Sequence, residues 1–156
     1  MKRVPAALAI AGLVVAGAAV LVSVAAKAQS TLTDRQRADM ALSLENDVIF
    51  GGKVEMIPKL VAANYVEHNI GDHASGIKEY TEVMTRRAEM LANNPQRFPR
   101  MHFKLSDGVT LYGPESVIFI RPAQEVDDPR NPGRKVRRSH FDAFRFEGDK
   151  IAEHWD

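Results

Sequence analysis

The sequence predicts an α+β domain in which helices cover one face of a curved antiparallel sheet. Apolar residues recur with helical spacing through the first half of the chain after residue 30. In the second half they alternate, or run in short stretches separated by turn signals, which is typical of strands. A run of helices followed by a run of strands favours a layer of helices on an antiparallel sheet.

The first residues have the pattern of a secretory signal peptide. A Lys-Arg pair precedes an apolar run over residues 4–26, and the cleavage-site sequence A-K-A ends at Ala28. We therefore expect residues 1–28 to be removed and the product to be exported, either periplasmic or secreted. The alternative is an uncleaved membrane anchor, because about 20 apolar residues suffice to span a bilayer.

Residues 29–156 form the predicted mature domain, which is long enough for one hydrophobic core. The full chain has 21 basic and 20 acidic residues, and the predicted leader contains basic residues but no acidic ones. The mature domain is therefore slightly acidic, which disfavours a nucleic-acid partner or a membrane-surface partner. The basic run over residues 130–138 contains no aromatic side chain on which bases could stack. The chain has no cysteine, so no disulfide supports the exported domain.

About three helices are predicted in order. Thr33 and Gln36 have the spacing of a capping box, and the apolar stripe that follows ends at Gly51–Gly52. The segment from residue 53 to residue 69 continues the helical half, with a short helix that ends or begins near Pro58. A third helix starts near Gly76 and ends at the sequence Asn-Asn-Pro.

The chain closes with a predicted hairpin of two strands. Gly148-Asp149 is a suitable two-residue loop, and it would place Phe141 opposite Asp156 and Ala143 opposite His154. These four side chains would then share one face of the sheet, while Asp142, Phe144, Glu153 and Trp155 would take the other. A three-residue loop would shift this pairing, but His154 and Asp156 share a face in either register.

Two motifs, "NYVEHNIGDHASGIKEYTEVM" and "FDAFRFEGDKIAEHWD", resemble the SnoaL-like polyketide cyclase group of the nuclear-transport-factor-2-like superfamily. The resemblance covers nearly all of the predicted mature domain. It implies a cone-shaped α+β fold that encloses a pocket between the helices and the sheet. In this superfamily the pocket either binds a ligand or uses an Asp or His as acid or base on a carbonyl substrate.

The resemblance also implies site residues. Asp156 matches an acid/base aspartate, His68 matches a histidine found at the pocket, and His154 and Asp142 match positions of varying role. The candidate substrate-binding side chains are Tyr65, Phe141 and Trp155. Family members commonly continue beyond the motif that ends here at Asp156.

The resemblance implies cofactor-free chemistry on a small apolar carbonyl compound. A carboxyl group whose pKa is raised by apolar surroundings can remove and return a proton next to a carbonyl. A nearby histidine can stabilise the oxyanion that forms. We expect an aldol-type cyclase or an isomerase, and the alternative is a binding protein that uses the same pocket without turnover.

No cofactor motif is present, and no metal site is predicted. The spacing of His68 and His73 is not the helical i, i+4 spacing of a metal-binding pair. The strands carry apolar residues on both faces, although only one face can be covered by helices. We therefore expect a homodimer that forms through the sheet.

Overall fold

The computed structural model describes residues 30–69, 73–95, 102–128 and 130–156. The predicted signal peptide lies outside these ranges. Within them, every helix is too short or too polar to span a bilayer.

The first helix, α1, spans Asp34–Ser43 and begins at the predicted capping box. The Thr33 hydroxyl accepts the Gln36 N–H at 3.2 Å, and the Gln36 side-chain oxygen accepts the Thr33 N–H at 2.9 Å. The chain continues into a π-helical segment, Leu44–Ile49, in which the Phe50 N–H donates to the Glu45 carbonyl. The wider turn of this segment changes the direction in which its side chains point, a feature that recurs at functional sites.

The second predicted helix is short and lies at Pro58, as predicted. A 3₁₀ turn, Val54–Met56, leads into α2, Ile57–Leu60, and the chain then becomes strand β1, Val61–Glu67. Tyr65 therefore lies on a strand and His68 follows one, so their predicted place in the helical half is wrong. Strands on both sides of β1 supply backbone hydrogen bonds that a local sequence pattern does not reveal.

The third helix, α3, spans Ile77–Asn93, as predicted. The remaining strands are β2 (Ala74–Ser75), β3 (Val109–Gly113), β4 (Ser116–Asp127), β5 (Lys135–Glu147) and β6 (Lys150–Trp155). They form one sheet in the order β2-β1-β6-β5-β4-β3. The sheet is curved and does not close into a barrel. It is mixed rather than purely antiparallel, because β1 runs parallel to β6.

The closing hairpin has the predicted two-residue loop, since Glu147 pairs with Lys150. Its register nevertheless shifts at a bulge, because Phe146 pairs with Ile151 whereas Arg145 pairs with Glu153. Farther along, Phe144 lies opposite His154 and Ala143 lies opposite Trp155. The predicted pairing of Ala143 with His154 is therefore wrong, and so is the face assigned to Phe141.

The core lies between the helices and the inner face of the sheet. α1, the π-helical segment and α3 contribute Ala41, Leu44, Val48, Tyr80 and Met84 to it. The sheet contributes Tyr65, Val117, Phe144, Phe146 and Ile151. The helices do not cover the whole sheet face, and at one end the apolar core gives way to a cluster of buried charges.

Candidate active site

A cavity of about 90 Å³ lies at this polar end, between the helix layer and the sheet. Side chains from five parts of the chain converge there. The π-helical segment and the residue after it supply Glu45, Ile49 and Phe50; β1 and its continuation supply Glu67 and Asn69; α3 supplies Met84 and Arg87; β5 supplies His140 and Asp142; and β6 with its last neighbour supplies His154 and Asp156.

The bulge in the closing hairpin places His154 in this cavity. Because the register shifts by one residue, His154 faces inward beside Asp142 and Phe144. Its ring stacks on Phe144, with the ring centroids 4.5 Å apart and the planes 13° from parallel. Only 2% of its surface is exposed. The prediction that His154 and Asp156 lie on one face is confirmed, since both line the cavity.

Glu67 fixes the orientation of the His154 ring. Both carboxylate oxygens of Glu67 lie 3.0 Å from His154 Nδ1. Glu67 is itself held by the Tyr65 hydroxyl, which donates to it at 2.8 Å, and by the Asn69 N–H at 3.2 Å. With Nδ1 bound to Glu67, the other ring nitrogen, Nε2, is presented to the cavity.

Arg121 joins the two other buried carboxyl groups of the site. Its guanidinium donates to Asp142 and to Glu45. The guanidinium also lies over the Phe103 ring, 3.7 Å from its centroid, so the charge is enclosed by an aromatic face as well as by carboxylates. His140 Nε2 lies 3.2 Å from the other Asp142 oxygen.

Two buried polar atoms at the cavity have no hydrogen-bond partner within the described part of the chain. They are Glu45 Oε1 and His154 Nε2. The closest acidic oxygen to Nε2 is Asp142 Oδ1, at 3.6 Å, which allows electrostatic attraction but is too long for a good hydrogen bond. Buried polar atoms are nearly always bonded, so these two atoms are available to a ligand or a water molecule that enters the cavity.

The electrostatics of the cavity shift the pKa values of its titratable groups in different directions. Burial alone would lower the pKa of His154, but the carboxylates of Asp142 and Glu67 outweigh it and raise that pKa to about 10. Burial and the neighbouring Asp142 charge raise the pKa of Glu45 to about 8, against the opposing effect of Arg121. Burial would also raise the pKa of Asp142, but His140, His154 and Arg121 hold it below its ordinary value.

The site residues predicted from the sequence fall into three groups. His154 and Asp142 lie in the buried cluster, and Asp156 lies at the exposed mouth of the cavity, where its carboxylate accepts a hydrogen bond from Asn69. Tyr65 is fully buried behind Glu67 and does not line the cavity.

The third group, Phe141, Trp155 and His68, lies outside the cavity. Phe141 faces away from the helices and is 47% exposed. His68 and Trp155 stack on each other, with centroids 4.6 Å apart, and His68 Nε2 lies 2.9 Å from Glu153. The structure therefore does not bring these three side chains together with His154.

Sequence reasoning missed Glu45, Glu67 and Arg121, although each carried a signal. Glu45 occupies a position of the apolar helical stripe that starts at Ala38 and Ala41. Glu67 and Arg121 each occupy the inward position two residues after a buried aromatic residue on the same strand. A charged residue at a core position of a stripe or an alternation is the signal that would have found them.

No group of three or more histidine, cysteine or acidic side chains within the described ranges has the geometry to hold a metal ion. No family model matches the sequence, and neither does any curated protein sequence. Solved structures, however, share its fold.

A candidate polyketide cyclase from Acidithiobacillus ferrooxidans superposes with a TM-score of 0.50 at 18% identity, covering 77% of this chain and 85% of that chain. An NTF2-like protein from Anabaena variabilis gives a TM-score of 0.51 at 14% identity, covering 80% and 92%. A candidate SnoaL-like polyketide cyclase from Jannaschia sp. CCS1 gives 0.49 at 15% identity, covering 78% and 83%.

The first two superpositions define the class of fold. The chain has the cone-shaped α+β fold of the nuclear-transport-factor-2-like superfamily. This confirms the α+β fold that the sequence motifs implied.

Proposed function

We propose that this protein binds a small apolar carbonyl compound in the cavity and catalyses cofactor-free proton transfer on it. The reaction would be an isomerisation or an aldol-type cyclisation. The observation that carries this proposal is the pair of unbonded buried atoms, Glu45 Oε1 and His154 Nε2, at one small cavity. One is a carboxyl oxygen that can accept a proton, and the other is a ring nitrogen that can donate one.

His154 is the proposed electrophile. With its pKa raised to about 10, the imidazole ring carries a proton on both nitrogens at neutral pH. Nδ1–H donates to Glu67, so Nε2–H is available to the carbonyl oxygen of the substrate. That hydrogen bond strengthens as negative charge develops on the oxygen, and it therefore stabilises the enolate more than the ketone.

Glu45 is the proposed base. A pKa of about 8 makes its carboxylate a stronger base than an ordinary glutamate, while leaving a useful ionised fraction near neutral pH. Asp142 is less suited to this step, because its lowered pKa makes it a weak base and Arg121 and His140 occupy its oxygens. We assign Asp142 the role of holding Arg121 and the His154 charge in place.

The proton balance of the step is simple. The C–H bond next to the carbonyl breaks, its proton moves to Glu45 Oε1, and its electron pair forms the enolate whose oxygen is bound by His154. Returning the proton to a different carbon completes an isomerisation. Attack of the enolate carbon on a second carbonyl of the same molecule instead forms a C–C bond and closes a ring.

Deuterium exchange tests this function without knowledge of the natural substrate. In D₂O at pD 8, the protein should accelerate replacement of the α-protons of 2-butanone, followed by proton NMR. The rate should rise as Glu45 ionises around its pKa of about 8 and fall as His154 loses its proton around 10. Binding of the ketone without exchange would favour the alternative, a non-catalytic binding protein. Mass spectrometry of the molecule that co-purifies with the folded protein would name the substrate class.

We also propose that the protein acts after export. The predicted cleavage point between Ala28 and Gln29 lies just before two residues that are bonded to the folded domain. Ser30 and Thr31 donate hydrogen bonds to the Asp149 carboxylate, at 2.8 to 3.2 Å. N-terminal sequencing of the exported protein should therefore begin at Gln29, whereas a product that retains Lys2 would favour the membrane anchor.

A homodimer through the outer face of the sheet remains our proposal for the assembly. Val109, Ile120 and Phe141 lie side by side on β3, β4 and β5, and all three are 39–57% exposed. Such a cluster of exposed apolar side chains is typical of an interface. Light scattering should give the mass of a dimer for the wild type and that of a monomer for Phe141→Glu. Met90→Glu, at an exposed apolar position on α3, is the matched control.

A further inference from the structure

A second space, which we call the outer chamber, adjoins the cavity lined by Glu45 and His154, which we call the inner cavity. It has a volume of about 300 Å³ and lies between α3 and the loop that follows the π-helical segment. Among the described residues its lining consists of Phe50, Gly51, Gly52, Ala88, Leu91, Ala92 and Pro95. None of these has a polar side chain, and backbone atoms supply the polar part of the lining. Phe50 also lines the inner cavity, so one aromatic ring is a wall of both spaces.

The same two segments, α3 and the chain from Ile49 to Gly52, line both the inner cavity and the outer chamber. On α3, Met84 and Arg87 face the inner cavity, while Ala88 and Leu91 continue the same side of the helix into the outer chamber. On the opposite wall, the chain passes from Ile49 at the inner cavity, through Phe50, to the two glycines of the outer chamber.

The wall between the two spaces is fixed in position. Arg87 Nε donates to the Ile49 carbonyl at 3.0 Å, and its guanidinium carbon lies 5.8 Å from the centroid of the Phe50 ring. On another side, Phe50 makes an edge-to-face contact with Phe103, at 5.5 Å between centroids. Phe50 therefore forms a rigid edge along which a bound molecule can extend from one space into the other.

Close approach of the loop to α3 shapes the outer chamber. Gly52 has φ +72°, a conformation that favours glycine, and a Cβ atom there would lie 3.2 Å from Ala88 Cβ. The loop can approach α3 closely because Gly52 has no side chain and Ala88 has only a methyl group. The space beside this contact stays open. A longer side chain at position 88 or 92 would project into the chamber that these alanines line.

The size of the inner cavity limits what it can hold. An engineered cavity of about 150 Å³ in a protein core binds benzene, and the inner cavity is smaller, at about 90 Å³. It has room for a carbonyl and its neighbouring carbons only. The outer chamber, by contrast, reaches the lower end of the size range of small-molecule sites.

We infer that the outer chamber binds the apolar tail of the substrate whose carbonyl end reacts in the inner cavity, so that the substrate is a carbonyl compound with an extended aliphatic or ring-bearing tail. This inference rests on the function proposed above. Ala88, Leu91 and Ala92 then determine specificity for the length of the tail. They lie far enough along α3 from Met84 to leave the chemistry of Glu45 and His154 to the inner cavity.

The experiment compares two ketones that differ only in tail length, 2-butanone and 2-octanone. Dissociation constants are measured by ligand-observed NMR for the wild type, Ala88→Leu, Ala92→Leu and Ala63→Leu. Burial of each additional methylene strengthens binding about fourfold, so the wild type should clearly prefer 2-octanone. Ala88→Leu and Ala92→Leu should each lose about tenfold or more of this preference, because leucine occupies the space of the tail.

Ala63→Leu is the matched control, since Ala63 is exposed on β1 and lines neither space. It should keep the wild-type preference. If Ala88→Leu does not fold, as judged by circular dichroism, Ala92→Leu decides, because Ala92 is exposed on the last turn of α3.

The possible outcomes distinguish the inference about the tail from the proposed function. If both leucine variants keep the wild-type preference for 2-octanone, the tail binds elsewhere and the inference is wrong. Wild-type binding of both ketones with equal affinity also overturns it, but leaves the proposed function intact. If neither ketone binds to the wild type, the carbonyl-binding function itself is wrong, and the assignment of the tail fails with it.

Discussion

On each face of the sheet a histidine lies beside an acidic side chain that an arginine also contacts, yet the two clusters differ in burial. On the inner face, His154 lies between Glu67 and Asp142. On the outer face, His68 lies against Glu153, which also binds Arg145 at 2.6 Å.

The inner and outer clusters differ in how deeply their side chains are buried. The inner side chains are almost completely buried, whereas His68, Glu153 and Arg145 keep 24–33% of their side-chain surface exposed. Water reaches all three outer side chains, although Arg145 Nη1 itself is buried. His68 and Arg145 lower the pKa of Glu153, against the effect of burial, which alone would raise it. Inside, removal of water raises the pKa of Glu45 far from its usual range, so that the same residue types become suited to proton transfer.

Replacing the inner base should have the largest effect. Glu45→Gln keeps the shape and the contact with Arg121 but cannot accept a proton near neutral pH. We expect the deuterium-exchange rate to fall by about 10²–10⁴-fold, the usual contribution of a general base, with ketone affinity largely kept. Glu55→Gln, the same change at an exposed glutamate of the 3₁₀ turn, is the control and should exchange at the wild-type rate.

The same assay compares Glu45 with the aspartate that the sequence motif suggested as the base. Asp156→Asn should slow exchange much less than Glu45→Gln, because Asp156 is exposed to water at the mouth of the cavity whereas Glu45 is buried beside His154. A larger loss in Asp156→Asn than in Glu45→Gln would move the role of base to Asp156.

The second prediction concerns stability and uses one substitution on each face. Arg121→Met removes the guanidinium that is shared by Glu45 and Asp142. Glu45 then loses its ion-pair partner, and Asp142 keeps only the two histidines beside it. Loss of one partner of a buried ion pair typically costs about 3–5 kcal/mol. Urea unfolding at pH 7 should show a decrease of this size in the free energy of unfolding. A decrease below about 1 kcal/mol would mean that water reaches the carboxylates, and the inner cluster would then resemble the outer one.

Much of this architecture could be predicted from local sequence patterns. The capping box at Thr33, the third helix and the Gly148-Asp149 loop each depend on neighbouring residues, and all three are present. The pairing of β1 with β6 is not local, because its register follows from contacts between residues more than 80 positions apart in the chain, such as Glu67 and His154. No spacing within either segment predicts that contact.

The candidate site shows the same limit. His154 and Asp142 were identified from the sequence, but a one-residue bulge decided which neighbours share their face. It brought Asp142 and Phe144 to the face of His154 and left Phe141 on the outer face with Trp155. A strand has a period of two residues, so a single extra residue exchanges the two faces of everything beyond it.

The third prediction is a difference in pH dependence. The pKa of His154 is raised from 6.5 in a free chain to about 10 in the folded one, so its charged form stabilises the fold. This contribution is complete below pH 6.5 and is lost as the pH rises through 10. The free energy of unfolding should therefore decline between these values in the wild type.

His154→Gln tests whether His154 causes that decline. The variant should lose stability over the same pH range less steeply, while Glu45, whose raised pKa acts in the same direction at somewhat lower pH, still contributes. Parallel curves for the two proteins would show that His154 is not the group responsible. His68→Gln, the same change on the outer face, should leave the wild-type curve unaltered.

The smallest effect is expected for Arg145→Met on the outer face, which is the counterpart of Arg121→Met. Arg145 donates to Glu153, and it also lies 4.0 Å from Glu147, but both carboxylates remain in contact with water. Because solvent can replace the lost cation, the free energy of unfolding should fall by less than about 1 kcal/mol. High salt should reduce the difference further, since ions screen exposed pairs.

Comparing the two arginine variants separates burial from residue type as the cause of the difference. The substitution is identical, each arginine bridges two carboxylates, and the two positions lie on neighbouring strands of one sheet. If both variants lose about 3–5 kcal/mol, the number of carboxylates around each arginine, rather than their burial, determines the loss. If only Arg121→Met does so, and its loss is insensitive to salt, then exclusion of water from the inner face is the cause. The raised pKa values on which the proposed proton transfer depends would then have the same physical origin.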